Sequence, residues 1–159
     1  MRSTPLPTAI ALVATLAVTA SALAAFLTET PIPVGGYLAV FTALFALRVV
    51  GQIGVAAFRP SWLPPMDEWN LVPYFVLLPA QLVILALMGA LVIGSAELGQ
   101  KLALGVVAFA FVYWAAMAVR YALRMTRRPP ERWLGGTIPI VFHCVLASFL
   151  FVLGASNAT

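Results

Sequence analysis

Apolar runs of about twenty residues recur along this chain, and no other feature limits its possible folds so tightly. They fall at approximately 8–27, 36–58, 71–94, 102–123 and 137–153. At a helical rise of 1.5 Å per residue, about 20 residues cross the roughly 30 Å hydrocarbon core of a bilayer. Only 9% of the 159 residues are charged and 63% are hydrophobic, against about 25% charged in a soluble domain. There are too few charges to coat a globule, and the mean hydropathy is +1.04. The predicted fold class is an all-α integral membrane protein: one domain, residues 1–159, forming a bundle of five transmembrane helices. The fifth run is the shortest, with Pro139 expected in its first turn, where a proline is tolerated.

The connections "TETPIPVG", "RPSWLPPMDEWN", "SAELGQ" and "RMTRRPPERWLGG" are short, and most are rich in turn formers. Their charges set an orientation. Arg2, Arg59, Arg120, Arg124, Arg127, Arg128 and Arg132 fall on one side of the predicted bundle, and Lys101 alone on the other. The positive-inside rule then places the N-terminus in the cytoplasm and the C-terminus outside. Trp62, Trp69 and Trp133 lie in the same connections as the arginines, as an interfacial belt requires. A net charge of +4 would elsewhere suggest nucleic acid. Here the basic residues flank apolar segments, so the expected partner is the lipid bilayer and not nucleic acid. The expected location is a cell membrane, of the bacterial inner-membrane kind. The single cysteine, Cys144, excludes an intramolecular disulfide.

The first run, "TAIALVATLAVTASALAAFL", is rich in Ala and Thr, and "ALA" at 22–24 has the form of a signal-peptidase site. Cleavage there would leave four helices in the same orientation. A tightly packed Ala-rich helix is the alternative, and the one preferred here.

The second run carries Arg48 near its middle and Gln52 four residues later, on the same helix face. Counted from the cytoplasmic ends of the predicted helices, Arg48 and Gln81 lie about 15 Å deep, and Gln52 and His143 about 9 Å. A central arginine costs roughly 2.5–3.5 kcal/mol on insertion scales. The five acids, Glu29, Asp67, Glu68, Glu97 and Glu131, all fall in connections, so an internal salt bridge is not expected. Three neutralisers remain. The first is local: Pro79 frees the carbonyl of Phe75, which Arg48 could share with the Gln81 amide. The second is a carboxylate on a protein partner or a second copy. The third is an anionic or carbonyl-bearing ligand such as a lipid headgroup, a quinone or a porphyrin propionate. The candidate ligand- or partner-binding residues are therefore Arg48, Gln52, Gln81 and His143. Their cofactor, if any, is not named by the sequence.

His143 is the only histidine, and Cys144 points about 100° away from it. With no other N or S ligands in number, no metal site is expected. Ala86, Ala90 and Gly94 form a small-xxx-small ridge that predicts contact with a neighbouring helix, in this chain or another. Tyr113 and Trp114 lie near mid-depth, where packing is the expected role. Arg120, Arg124 and Arg127 recur at helical spacing, so the fourth helix should run past the interface before "RPP" stops it. Together with Arg128 and Arg132 they form the candidate surface for anionic lipid or a cytoplasmic partner. Gly135 and Gly136 then allow a tight turn back into the membrane.

A hydrolase needs a nucleophile with a base or paired carboxylates, and His143 is the only embedded base. Asp67 and Glu68 in "PPMDEWN" are adjacent acids without further ligands, a poor Mg²⁺ site. The string "RPSWLPP" (59–65) resembles the first-loop motif of the tryptophan-rich sensory (translocator) proteins, five-helix membrane proteins that bind porphyrins and sterols. It follows the second apolar run, where that family places it after the first, and "MDEWNLVPYF" replaces the family's aromatic pattern. No family is assigned from it. The first functional reading is an accessory or scaffold subunit of a membrane complex, with Arg48 either meeting a protein partner or second copy or fixing the bundle. The second is a membrane-embedded binder of a hydrophobic ligand with a polar head, such as a quinone, lipid or tetrapyrrole. The third is an enzyme on a membrane-dissolved substrate, with His143 as base and Arg48 as anion clamp.

Overall fold

In a computed structural model, residues 6–31, 33–58, 74–94, 97–127 and 133–158 are described. Over these residues the chain is all-helical: α1 (Leu6–Leu27), α2 (Val34–Phe58), α3 (Tyr74–Gly94), α4 (Gln100–Arg127) and α5 (Trp133–Ala158). Among the described residues, four helices, α2 to α5, are long and apolar enough to cross a membrane. Their apolar residues are not confined to one stripe. Leu47 and Val50 of α2, Leu82 and Leu87 of α3, and Leu104 and Val112 of α4 all face outward. That is the pattern of helices with an apolar exterior.

α5 is the axis of the bundle. α4, α2 and α1 pack on it, while α3 packs mainly on α2. The α4–α5 seam is the closest. Ala103, Val107, Ala110 and Met117 of α4 are buried at three-, four- and seven-residue spacing, which keeps them on one side of the helix. A Cβ at Gly154 would stand 2.9 Å from both the Ala103 carbonyl oxygen and the Val107 backbone nitrogen. Only glycine lets the two backbones approach this closely. Beside it, Phe151 stacks edge-on against Phe26 and Phe111 with centroids 5.7 Å apart in each case, and lies 5.4 Å from Trp114. This aromatic cluster ties α1 and α4 to α5.

Polar groups in this part of the bundle are paired. The Thr19 hydroxyl donates to Ser148 Oγ at 2.7 Å, and Ser148 donates to the Cys144 carbonyl at 2.8 Å. Asn157 accepts from the Leu98 amide at 2.9 Å and donates to the Leu153 carbonyl at 2.9 Å. α1 ends in a Schellman cap: the Thr30 N–H reaches the Ala25 carbonyl at 2.9 Å and the Glu29 N–H reaches Phe26 at 3.4 Å. Glu29 occupies the left-handed position of that cap, with φ of 53°, where glycine is usual.

The helices differ from the sequence expectation at several ends. α1 and α2 each begin two residues early, and α4 extends to Arg127. It carries Arg120, Arg124 and Arg127 on one continuous helix, as their spacing predicts. The largest difference is in α5, which starts at Trp133 instead of residue 137 and continues to Ala158. Gly135 and Gly136 are helical rather than a turn, and Pro139 lies inside the helix. The hydrogen bond that Pro139 cannot donate would have gone to Gly135, still in the first turn, so the break falls where the helix is least dependent on it. α3 begins at Tyr74, and its expected start at 71 lies outside the described residues.

Candidate functional site: a buried cationic layer

Leu38, Phe41, Phe45, Arg48, Val49, Gln52 and Val55 form the buried stripe of α2. Their three- and four-residue spacing puts all of them on the side that packs against α5 and α3. Arg48 and Gln52 thus occupy positions that would otherwise hold core apolar residues. Arg48 is only 9% exposed and Gln52 4%. The Arg48 guanidinium carbon sits over the Phe142 ring of α5, 5.4 Å from its centroid. That is within cation–π range, worth roughly 0.5–2 kcal/mol depending on desolvation. It offsets part of the insertion cost of about 2.5–3.5 kcal/mol and leaves a remainder.

Next to Phe142 on α5 is His143, whose Nδ1 is 2.7 Å from the Tyr113 hydroxyl of α4. Arg120, seven residues and two turns further along α4, lies within Coulombic range of Arg48, Tyr113 and His143. Arg48 meets α5 from α2, over the Phe142 ring, and Tyr113 meets it from α4, at the next residue, His143.

The register of α5 explains why His143 reaches this layer. It is ten residues from Trp133, about 15 Å along the helix, and Arg48 is the same distance from Phe58. A helix start at 137 predicts about 9 Å for His143, and the four earlier helical residues add about 6 Å. Gln81 is on α3, whose first described residue is Tyr74. It is 5% exposed, and α3 packs mainly on α2, so its burial belongs to the α2–α3 seam.

This layer holds cations and amides whose partners are missing. Among the described residues, Arg48 makes no hydrogen bond or ion pair, and in particular none to the Phe75 carbonyl or the Gln81 amide. The local neutraliser considered from the sequence is not formed there. Glu29 and Glu97, the two acids among the described residues, follow α1 and precede α4, at the end of the bundle remote from Phe58 and Arg127. The side-chain oxygens of Gln52 and Gln81 are buried and without a donor. An unmet buried acceptor costs about 1–3 kcal/mol. Tyr113 and His143 satisfy each other, and the pair still offers a donor, either the histidine Nε2–H or the tyrosine hydroxyl, according to which group donates between them.

The other sequence-derived features fall elsewhere. The Arg124 and Arg127 positions are in the last turns of α4, while Arg128 and Arg132 lie outside the described residues, as do Arg2, Arg59, Trp62, Asp67, Glu68, Trp69 and Glu131. Ala86, Ala90 and Gly94 are exposed on α3, and a Cβ at Gly94 would meet nothing within 4 Å. The ridge therefore faces away from the chain's other helices. Trp114 joins the aromatic cluster around Phe151. No group of three or more His, Cys, Asp or Glu converges among the described residues.

Tyr113 and Arg120 are the polar residues near this layer that sequence reasoning does not assign to it. The signal was present: Ala103, Val107, Ala110, Tyr113, Met117 and Arg120 step along α4 by threes and fours. Chemically, a buried cation over Phe142 and a neutral donor pair at His143 sit on consecutive residues of α5, with no carboxylate paired to them among the described residues, an arrangement suited to an anion or another strong acceptor. Comparison of the chain with protein-family models, curated proteins and solved structures found no match.

Proposed function

We propose that this chain is a multi-pass membrane protein that binds a hydrophobic ligand with an acidic head, the head resting on Arg48 and Arg120. The observation that carries the reading is the unneutralised Arg48: buried, stacked on Phe142, and without an acceptor among the described residues. A carboxylate or phosphate brought between α2 and α4 would remove the charge penalty and take a further hydrogen bond from the Tyr113–His143 pair. The charge distribution supports an orientation with the arginine-rich end in the cytoplasm and the C-terminus outside. α2 is 25 residues long, about 37 Å. It therefore overhangs a hydrocarbon core of roughly 30 Å, and a snorkelling Arg48 comes within reach of an acidic head drawn in from the cytoplasmic leaflet.

The test is to purify the chain in mild detergent, extract it, and identify co-purifying amphiphiles by mass spectrometry, for wild type and Arg48→Leu. A stoichiometric acidic amphiphile in wild type that is absent from the variant is the expected result. A wild-type protein with no such molecule, or one retained equally by Arg48→Leu, contradicts the proposal.

A second reading, the accessory or scaffold subunit, is favoured by one observation. The exposed Ala86, Ala90 and Gly94 ridge of α3 is a surface on which another membrane helix could pack closely. Under that reading a partner's carboxylate, not a ligand's, meets Arg48. Co-purification of a protein that Arg48→Leu releases would favour it over the ligand.

A further inference from the structure

We propose that the acidic head bound at Arg48 also carries hydroxyl groups, and that these meet the buried amides of Gln52 and Gln81. The inference rests on the anion-site reading above and adds the class of head group. Its basis is an independent observation. Two glutamines on adjacent helices are each at least nine-tenths buried, and each ends in a side-chain oxygen without a donor. They sit on helices that pack directly on each other. Gln52 is one turn from Arg48 on the same face. An anion placed on Arg48 therefore has an unmet amide beside it, on the side of the arginine-rich end.

The anion itself cannot satisfy those oxygens, because an ionised phosphodiester or carboxylate is an acceptor and so are they. An ammonium would satisfy them, but Arg48 and Arg120 repel a third cation. A hydroxyl fits on both counts: it is neutral and it donates. It also accepts, so it pairs with either amide whichever way round the oxygen and nitrogen lie. The ligand class is then a phosphate or carboxylate with hydroxyls a few bonds away, as in a glycerophosphate head. Such a head can arrive on a bilayer lipid or as a free polar molecule.

The experiment is a native mass-spectrometry titration of the full chain in neutral detergent, with dioleoyl phosphatidylglycerol, dioleoyl phosphatidylethanol and sn-glycerol 3-phosphate as probes. Phosphatidylethanol has the same singly charged phosphodiester and the same tails but no head-group hydroxyls. Wild type is expected to prefer phosphatidylglycerol by about tenfold, the gain of two buried hydrogen bonds. Gln52→Leu and Gln81→Leu are each expected to weaken phosphatidylglycerol binding and leave phosphatidylethanol binding unchanged. Equal binding of the two lipids by wild type, or an unchanged preference in both glutamine variants, overturns the hydroxyl assignment. The wild-type preference keeps the test decisive if a glutamine variant does not fold. Arg48→Leu separates the two levels of argument. Loss of both lipids leaves the anion site standing whatever the glutamines do, and retention of both removes the anion site itself. Displacement of phosphatidylglycerol by sn-glycerol 3-phosphate would identify the free head as sufficient, and a lack of displacement would identify the lipid as the source.

Discussion

The two halves of α5 are packed on different principles. Its C-terminal half, with Val145, Phe149, Phe151, Val152 and Ala155 inside, meets α1 and α4 through interlocking rings and one glycine contact. Its buried Ser148 and its Asn157 have partners. The N-terminal half is flanked by Arg48, Gln52, Tyr113 and Arg120, and among these only Tyr113 has a hydrogen-bond partner among the described residues, on His143. Arg48, Gln52 and Ser148 are all buried. Burial alone therefore does not force polar groups to pair within the chain. Where they are left unpaired, the missing partner is expected from outside.

This contrast can be broken first in the well-paired half. Phe151→Ala removes the ring that links α1, α4 and α5, and is expected to lower stability by about 3–5 kcal/mol, read as thermal unfolding in detergent. A loss below about 1 kcal/mol would mean the aromatic cluster does not hold this half together. Gly154→Ala should cost about 1–3 kcal/mol, because its Cβ meets α4 backbone that cannot yield as a side chain can. A neutral Gly154→Ala would show that α4 and α5 are further apart than described.

The effects expected elsewhere are smaller. Tyr113→Phe strips His143 of its partner and should cost about 1 kcal/mol. It should also weaken retention of an acidic amphiphile, which separates a site role from a packing role. Glu29→Gly goes the other way. Relieving a side chain from the left-handed cap position should stabilise α1 by about 1 kcal/mol, and a destabilised variant would mean that Glu29 is held there by more than the cap.

Much of this architecture was legible in the sequence, because apolar runs set helix positions whatever their tertiary context. The buried face of Arg48 and Gln52 followed from four-residue spacing alone. What sequence reasoning misjudged was vertical register. Gly135, Gly136 and Pro139 read as a turn and a helix start, yet the helix runs through all three, which lowers His143 to the level of Arg48. Assembly of the site across helices was the other gap. Tyr113 read as packing, since only the docking of α4 on α5 brings it to His143, next to the Phe142 ring that Arg48 covers. Spacing within one helix fixes a face but does not fix which neighbouring helix that face meets.

The central claim is that Arg48 is a cost in the isolated chain and an asset once an acidic group arrives. Its most direct test is thermal stability of wild type and Arg48→Leu in neutral detergent, each with and without saturating phosphatidylglycerol. Without lipid, Arg48→Leu should be the more stable of the two, since it removes an unpaired buried cation. With lipid, the wild-type transition should rise, by mass action on the folded state, while that of Arg48→Leu stays where it was. If Arg48→Leu is the less stable protein without lipid, and both shift equally with it, the guanidinium is already neutralised within the chain and the account is wrong.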